Sequence, residues 1–314
     1  MISPSPITFK PLLMERPWGG RLLETELHIP LPTSVLIGEL WALVDRPEAQ
    51  SIVETGPLQG TSLHELWSHQ RAAIFGAKHL NNKATSFPLL CKILDATEML
   101  SLQVHPRRTA TSKFHGEPKT EFWYFLKTAP DAFCYAGLKK GGSRTMFEHA
   151  LKNETLDKIL HRIAVKEEDS LFIPSGRLHA LGKGNLVIEI QQNSDTTYRV
   201  FDWNRRDHEG RTRSLHHEEA MDSIDFEDEE PSLQTRGSAV ASDYFHTEKW
   251  NLEAPCQITN SEEFAIFTCL TGKVECQDKT FHPGNFFLLP ALQKKFTLTP
   301  LTHNTSLLCT RLPS

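Results

Sequence analysis

The chain has 314 residues, which at roughly 150 residues per domain suggests about two domains. Its hydrophobic fraction of 39% and charged fraction of 23% are those of a globular protein with enough chain to bury a core without staples. With 34 Lys and Arg against 39 Asp and Glu, the formal charge of −5 excludes recruitment to nucleic acid or to an anionic membrane by bulk charge.

Six scattered cysteines, Cys91, Cys134, Cys256, Cys269, Cys276 and Cys309, form no C-x-x-C pair and read as free thiols of a reducing cytosol. Residues 1–10 lack a basic stretch followed by an apolar one, and no run approaches about 18 apolar residues. A soluble, cytoplasmic protein without a membrane partner is the expectation.

Short apolar runs divided by Gly and Pro turns predict a mainly β chain. In order, strands are expected at residues 36–44, 99–104, 121–126, 170–173 and 186–191, then at 264–270, 273–277, 285–289 and 295–298. Helical spacing of Leu63, Leu66, Trp67, Ile74 and Phe75 predicts a helix over residues 61–76 that stops at Gly76. Residues 143–168 read as one or two helices with a break near Glu154 and Thr155, and Ser214 is a candidate N-cap for a short helix. The acidic run 222–230 reads as a solvated linker. It sets a boundary between residues 1–229, with the helical insertion, and a β-rich tail, 230–314. The strand-closing sequence Ile173-Pro174-Ser175-Gly176 has an echo in Leu288-Leu289-Pro290-Ala291, as two related β modules would give.

Four places carry side chains suited to chemistry. Gln103 and His105 stand at i and i+2 before Pro106, on one face of a strand. Lys119 and Glu121 repeat that spacing at the start of an aromatic strand, where charges are costly to bury without partners. His179 follows the Pro174–Gly176 turn, which can direct it back over a sheet. Arg199, in an aromatic segment after a polar turn, offers a planar fork for carboxylate or phosphate. Singly, each is more often an ordinary polar position. Together Gln103, His105, Glu121 and His179 offer two nitrogen and two oxygen donors, a set that suits Zn²⁺, with Fe, Co or Mn as chemical alternatives. Lacking thiolates, such a site is expected to keep a position open for water or substrate.

These clusters, in this order, resemble the type I mannose-6-phosphate isomerases of the shorter bacterial kind. The resemblance starts at Glu15-Arg16-Pro17-Trp18-Gly19-Gly20 and runs through Gly38-Glu39-Leu40-Trp41, Leu102-Gln103-Val104-His105-Pro106 and Lys119-Thr120-Glu121 to the turn before His179. Its most specific part is QQNSDTTYRVFDW, from Gln191 to Trp203. It implies two cupin-like jelly-roll modules, one Zn²⁺ on Gln103, His105, Glu121 and His179, and catalytic roles for Arg199 and Lys119. The tail shows no matching His and Glu set and is expected to bind no metal. Arg107-Arg108 and His115 depart from the family pattern just after the His-Pro element. They are expected to be exposed.

The implied reaction interconverts mannose 6-phosphate and fructose 6-phosphate through an enediol. The substrate partner is thus a small sugar phosphate. Arg199 then stabilises the enediolate or holds the phosphate. Lys119, its pKa lowered by a neighbouring dication, serves ring opening, proton transfer or phosphate contact. Glu189 is a reserve base, Ser101 a phosphate contact and Trp18 a pocket wall. The alternatives are a sugar-binding or regulatory cupin without turnover, or another metal-dependent cupin enzyme; Gln103 in place of a first His argues against oxygen chemistry.

Overall fold

The structure, a computed structural model, describes residues 5–108, 114–206, 209–259, 263–293 and 295–313. It is mainly β, and its two compact units interleave along the chain. One comprises residues 14–39 and 94–236, the other residues 1–13, 40–93 and 237–314. The sequence suggested a single cut at 229/230. The local reason for the difference is that Ile7 bridges to Leu288, while Phe75 meets Phe264 edge-on at 5.1 Å, so early segments join the tail's core.

In the first of these units, strand Glu121–Thr128 lies between Asn185–Gln192 and Ser170–Ile173, antiparallel to both. A five-stranded sheet runs in the order Tyr198–Phe201, Leu102–Val104, His179–Leu181, Phe133–Leu138, Leu160–Ala164. Side-chain alternation sorts the residues. Trp123, Phe125, Cys134, Ala136, Leu171, Ile173, Leu181 and Val187 share one buried cluster drawn from both sets of strands. The five-stranded sheet's other face, with Leu102, Val104, Ala180, Tyr198 and Val200, is covered by Phe147 and Ala150 of helix Arg144–Lys152 and by Ala220 of helix His217–Ser223. Odd-numbered Gln103, His179 and Arg199 therefore stand on the opposite face from this helix-covered one.

The stretch 143–168 is helical only in part. Ser143 caps the helix by accepting from Met146 N at 3.3 Å, and the helix ends where Glu154 takes φ 54°. A single 3-10 turn, Leu156–Lys158, precedes strand Leu160–Ala164, where alternating burial overrides the helical spacing of Leu156, Leu160 and Ile163. The helix after Ser214 starts at His217, with His216 and not Ser214 at the cap position. The acidic run is not a free linker. Asp228 accepts two hydrogen bonds from Arg177, both at 2.7 Å, and Glu230 N donates to Leu138 O at 2.8 Å.

The second unit repeats the two-sheet plan. One sheet is ordered Val240–Ala241, His246–Leu252, Thr305–Arg311, Ala265–Thr271, Phe286–Leu289. The other is ordered Cys256–Thr259, Lys295–Pro300, Val274–Cys276, Lys279–Phe281. Phe281 and Phe287 stack in its core with ring centroids 3.9 Å apart, and Phe267 stacks on Phe287 at 5.5 Å. The helix expected at 61–76 is split at Gln70 into Leu63–His69 and Arg71–Ile74, and a reciprocal box between Ser62 and Glu65 caps the first piece. The strand-closing echo has a register counterpart. Ile173 pairs with Glu121 in the first unit and Leu289 with Ala265 in the second, so Ala265 occupies the place of Glu121.

Candidate metal centre and active site

The sheet registers gather the predicted donors. His179 is paired with Gln103, and Arg199 with Gln103 from the other side. Glu121 is the first residue of its strand, opposite Gln191, and His105 follows its own strand at i+2 from Gln103. His105, Glu121 and His179 are all buried, at 1%, 0% and 0% exposure, and one ligand atom from each lies within 4.8 Å of the others. His105 Nε2 is 3.2 Å from Glu121 Oε1, and His179 Nε2 is 3.5 Å from Oε2. Gln103 Nε2 lies 3.2 Å from His179 Nε2. Which amide atom of Gln103 faces the cluster is a choice of flip, and rotation presents its oxygen there. These three residues could hold a metal, and Gln103 stands beside them.

The histidine tautomers follow from their outer contacts. His105 Nδ1 donates to Thr196 O at 2.8 Å, and His179 Nδ1 donates to Arg177 O at 2.9 Å. Each neutral ring then turns a lone pair from Nε2 toward Glu121. The Lys119 ammonium approaches Glu121 Oε1, but Glu121 Oε2 and His105 Nε2 are buried and converge without a donor of their own. Such buried acceptors are strongly unfavourable unless a further cation sits among them. The donor set therefore fits a dication.

Lys119, 4% exposed, brings a charge into close contact with this carboxylate, its Nζ being 2.6 Å from Glu121 Oε1. Burial pulls the Lys119 pKa down, but the Glu121 and Glu189 carboxylates outweigh it and hold the ammonium above its usual range. Burial raises the Glu121 pKa, and Lys119 and His105 more than reverse this, leaving it well below the ordinary value. Burial, against the pull of Glu121, takes His179 down to about 3.

The QQNSDTT segment braces the loop that delivers Lys119 and Glu121. Gln192 Oε1 accepts from Thr120 N at 2.9 Å, Ser194 Oγ donates to Glu117 O at 3.1 Å, and Thr196 Oγ1 accepts from Glu117 N at 3.1 Å. The Pro174–Gly176 turn meets the same loop from elsewhere: Ser175 Oγ accepts from Lys119 N at 2.9 Å, and Gly176 N donates to His105 O at 2.9 Å. Gly176 has φ 98°, and a Cβ there would lie 2.7 Å from Arg107 Cγ, so this turn requires glycine.

The remaining expected residues fall at different distances from the donors. Glu189 is buried and accepts from Trp123 Nε1 at 2.8 Å, while Ser101 Oγ lies 3.5 Å from Gln103 Oε1. Arg199 Nη1 donates to Ser214 O at 2.8 Å, and its Nε is buried without a partner. Trp18 is buried in the cluster with Trp123. Arg108 and His115 are exposed, whereas Arg107 is partly buried; residues 109–113 between them lie outside the described residues. Sequence reasoning missed Trp123, which meets the His179 ring edge-on at 5.5 Å, and the carbonyls of Thr196 and Arg177. A Trp at i+2 from Glu121 was the available signal for the first.

Paired antiparallel sheets with a buried His and Glu cluster define a cupin-class enzyme scaffold able to hold a metal. The family model for the phosphomannose isomerase type I catalytic domain matches residues 8–124, and that for the mannose-6-phosphate isomerase cupin domain matches residues 235–302. Mannose-6-phosphate isomerase ManA of Bacillus subtilis is 36% identical over 307 residues, covering 91% of this chain and 93% of that protein. The mannose-6-phosphate isomerase of Streptococcus mutans is 33% identical, covering 91% and 92%. The crystal structure of the Bacillus subtilis mannose 6-phosphate isomerase matches with a TM-score of 0.85 at 32% identity over 98% of this chain and 99% of that one. The chain belongs to the type I phosphomannose isomerase family of enzymes.

Proposed function

We infer that this chain is a zinc-dependent aldose–ketose isomerase that interconverts mannose 6-phosphate and fructose 6-phosphate through an enediol. One Zn²⁺ per chain would be held by Gln103, His105, Glu121 and His179. The observation that carries the reading is the convergence of two imidazole lone pairs on a buried carboxylate whose Oε2 has no hydrogen-bond donor. Two nitrogens and two oxygens, with no thiolate, suit Zn²⁺ in a site with an open position. When bound, the ion supplies stabilisation of the negative charge that develops on O1 and O2 of the open-chain sugar.

The chain's own groups then divide the work. Lys119 keeps an ammonium at the floor of the site, where it donates to sugar oxygens during ring opening. Arg199, on the face of Gln103, holds negative charge on the substrate. Glu189 is the carboxylate that takes the proton from C2 and returns it at C1, and Trp123 fixes its position. Ser101 serves the phosphate side, and Trp18 backs the inner wall. The setting we propose is the cytoplasm, supported by six cysteines that are all free thiols.

The test is Gln103→Ala and His179→Ala, with metal content and coupled isomerase turnover measured on the same samples. Both variants are expected to lose metal and activity together. Normal turnover from a metal-free variant would overturn the assignment.

A further inference from the structure

Strand Asn185–Gln192 carries one buried polar side chain that the chemistry above leaves unused. Gln191 lies directly opposite Glu121 in the antiparallel register, as Glu189 lies opposite Trp123. Directly opposed side chains leave a sheet on the same face, with Cβ atoms about 5 Å apart. Glu189 and Gln191 therefore share the face that carries the Glu121 carboxylate.

Gln191 is 0% exposed, and the two ends of its amide are placed unequally. Nε2 donates to Ser194 O at 2.7 Å and to Gln192 O at 2.8 Å, while Oε1 is buried without a partner. The orientation of this amide is not a free choice. Both of its contacts are carbonyl oxygens, and turning the group over would set oxygen against oxygen. With both N–H groups spent on the turn, what remains is an acceptor alone, and a buried acceptor is costly until a donor reaches it.

The side chains around it are turned elsewhere. The Lys119 ammonium contacts Glu121, the Trp123 indole N–H goes to Glu189, and the Nδ1 groups of His105 and His179 go to Thr196 O and Arg177 O. A polyhydroxylated ligand brings donors of its own. With O1 and O2 of the open-chain sugar at the metal centre and Glu189 working on C1 and C2, the first hydroxyl beyond them is the one on C3.

We propose that Gln191 positions the substrate and selects it, its Oε1 accepting a hydrogen bond from the C3 hydroxyl of the sugar. This rests on the isomerase reading above for the identity of the sugar. The contact fixes the C2–C3 bond and so holds C2 beside Glu189, while the two Nε2 bonds lock the amide in place before the sugar arrives. A sugar without the C3 hydroxyl leaves the buried oxygen unpaired and is rejected for that reason.

The experiment uses the full-length, metal-loaded protein with mannose 6-phosphate and its 3-deoxy analogue, in calorimetry and in steady-state kinetics. The wild type is expected to favour the parent sugar at least tenfold in Kd and in kcat/KM. Gln191→Met keeps the length of the side chain and removes the acceptor, and its preference is expected to shrink to within twofold with metal content unchanged. Gln191→Glu keeps an oxygen and gives up the turn bonds, and its preference is expected to stay at fivefold or more. A role confined to bracing the turn would weaken both variants alike and leave the preference at its wild-type value; that outcome would overturn the proposal. So would a wild type that binds the two sugars equally. A Gln191-dependent preference in binding, shown by a protein that leaves mannose 6-phosphate unconverted, would uphold the contact while defeating the isomerase reading, so the two fail separately.

Discussion

Trp123 donates its indole N–H to Glu189 Oε1 at 2.8 Å from the position directly opposite it in the neighbouring strand. The same ring lies against His179 at 5.5 Å, so one aromatic side chain touches both the carboxylate proposed as the base and a candidate ligand. Trp123→Phe keeps an aromatic ring and removes the N–H. A hydrogen bond to a charged group is worth about 1.5–3 kcal/mol, and a loss of that order is expected in urea unfolding. Turnover should fall while bound metal stays near stoichiometric; loss of metal as well would place the ring's main role at His179.

A metal held at Glu121, as proposed, would couple binding to folding. A ligand at about 1,000 times its Kd stabilises the folded state by about 4 kcal/mol. Chelation of the wild type is therefore expected to lower Tm, and re-addition of Zn²⁺ to restore it. Glu121→Gln removes the charge at the centre of the cluster, and its Tm should respond to neither treatment. Thermal unfolding of the two proteins with and without chelator checks this.

Gly176→Ala tests the turn that joins His105 to the Lys119 loop. Its backbone lies in the left-handed region and a methyl group would press on Arg107, so a cost of about 1 kcal/mol or more is expected. Because Gly176 N holds His105 O, metal affinity should drop with stability. Zinc titration of the refolded variant measures it.

In the other unit, His79 is buried against Phe264, with Nε2 unpartnered. Burial, reinforced by the Lys78 ammonium and opposed by Glu263, lowers its pKa below 6.5. Folded His79 therefore resists protonation that the unfolded chain accepts. Its contribution is fully present above about pH 6.5 and is lost as pH falls toward the lowered folded value, with a slope of at most about 1.4 kcal/mol per pH unit. His79→Leu is expected to flatten the decline in urea midpoint between pH 6.5 and 5. An unchanged slope would assign that decline to other groups.

Much of the candidate site was legible because strand alternation is a strict period. The i, i+2 spacing puts Gln103 with His105, and Lys119 with Glu121, on shared faces; His105 and Lys119 meet the Glu121 carboxylate, and Gln103 meets His179. What escaped was whatever the backbone supplies. The carbonyls of Thr196 and Arg177 set the imidazole tautomers, and no side-chain pattern announces a carbonyl. Strand Leu160–Ala164 escaped because Leu156, Leu160 and Ile163 also fit a helix, and only pairing with Phe133–Leu138 decides between them. Strand Phe133–Leu138 itself has near-continuous burial and no clean alternation to read. The run 222–230 looked solvated because acidic residues usually are; Arg177, far away in sequence, recruits Asp228.

The substitution of Ala265 for a carboxylate at the register position of Glu121 has a consequence for how this scaffold can change. Phe267, Phe281 and Phe287 fill that unit's interior with stacked rings, and the methyl group of Ala265 fits beside them without demanding a counter-ion. A lone glutamate introduced there would be stranded in hydrocarbon, with the imidazoles still missing. A second donor cluster at that position would need its carboxylate and both imidazoles to arrive together.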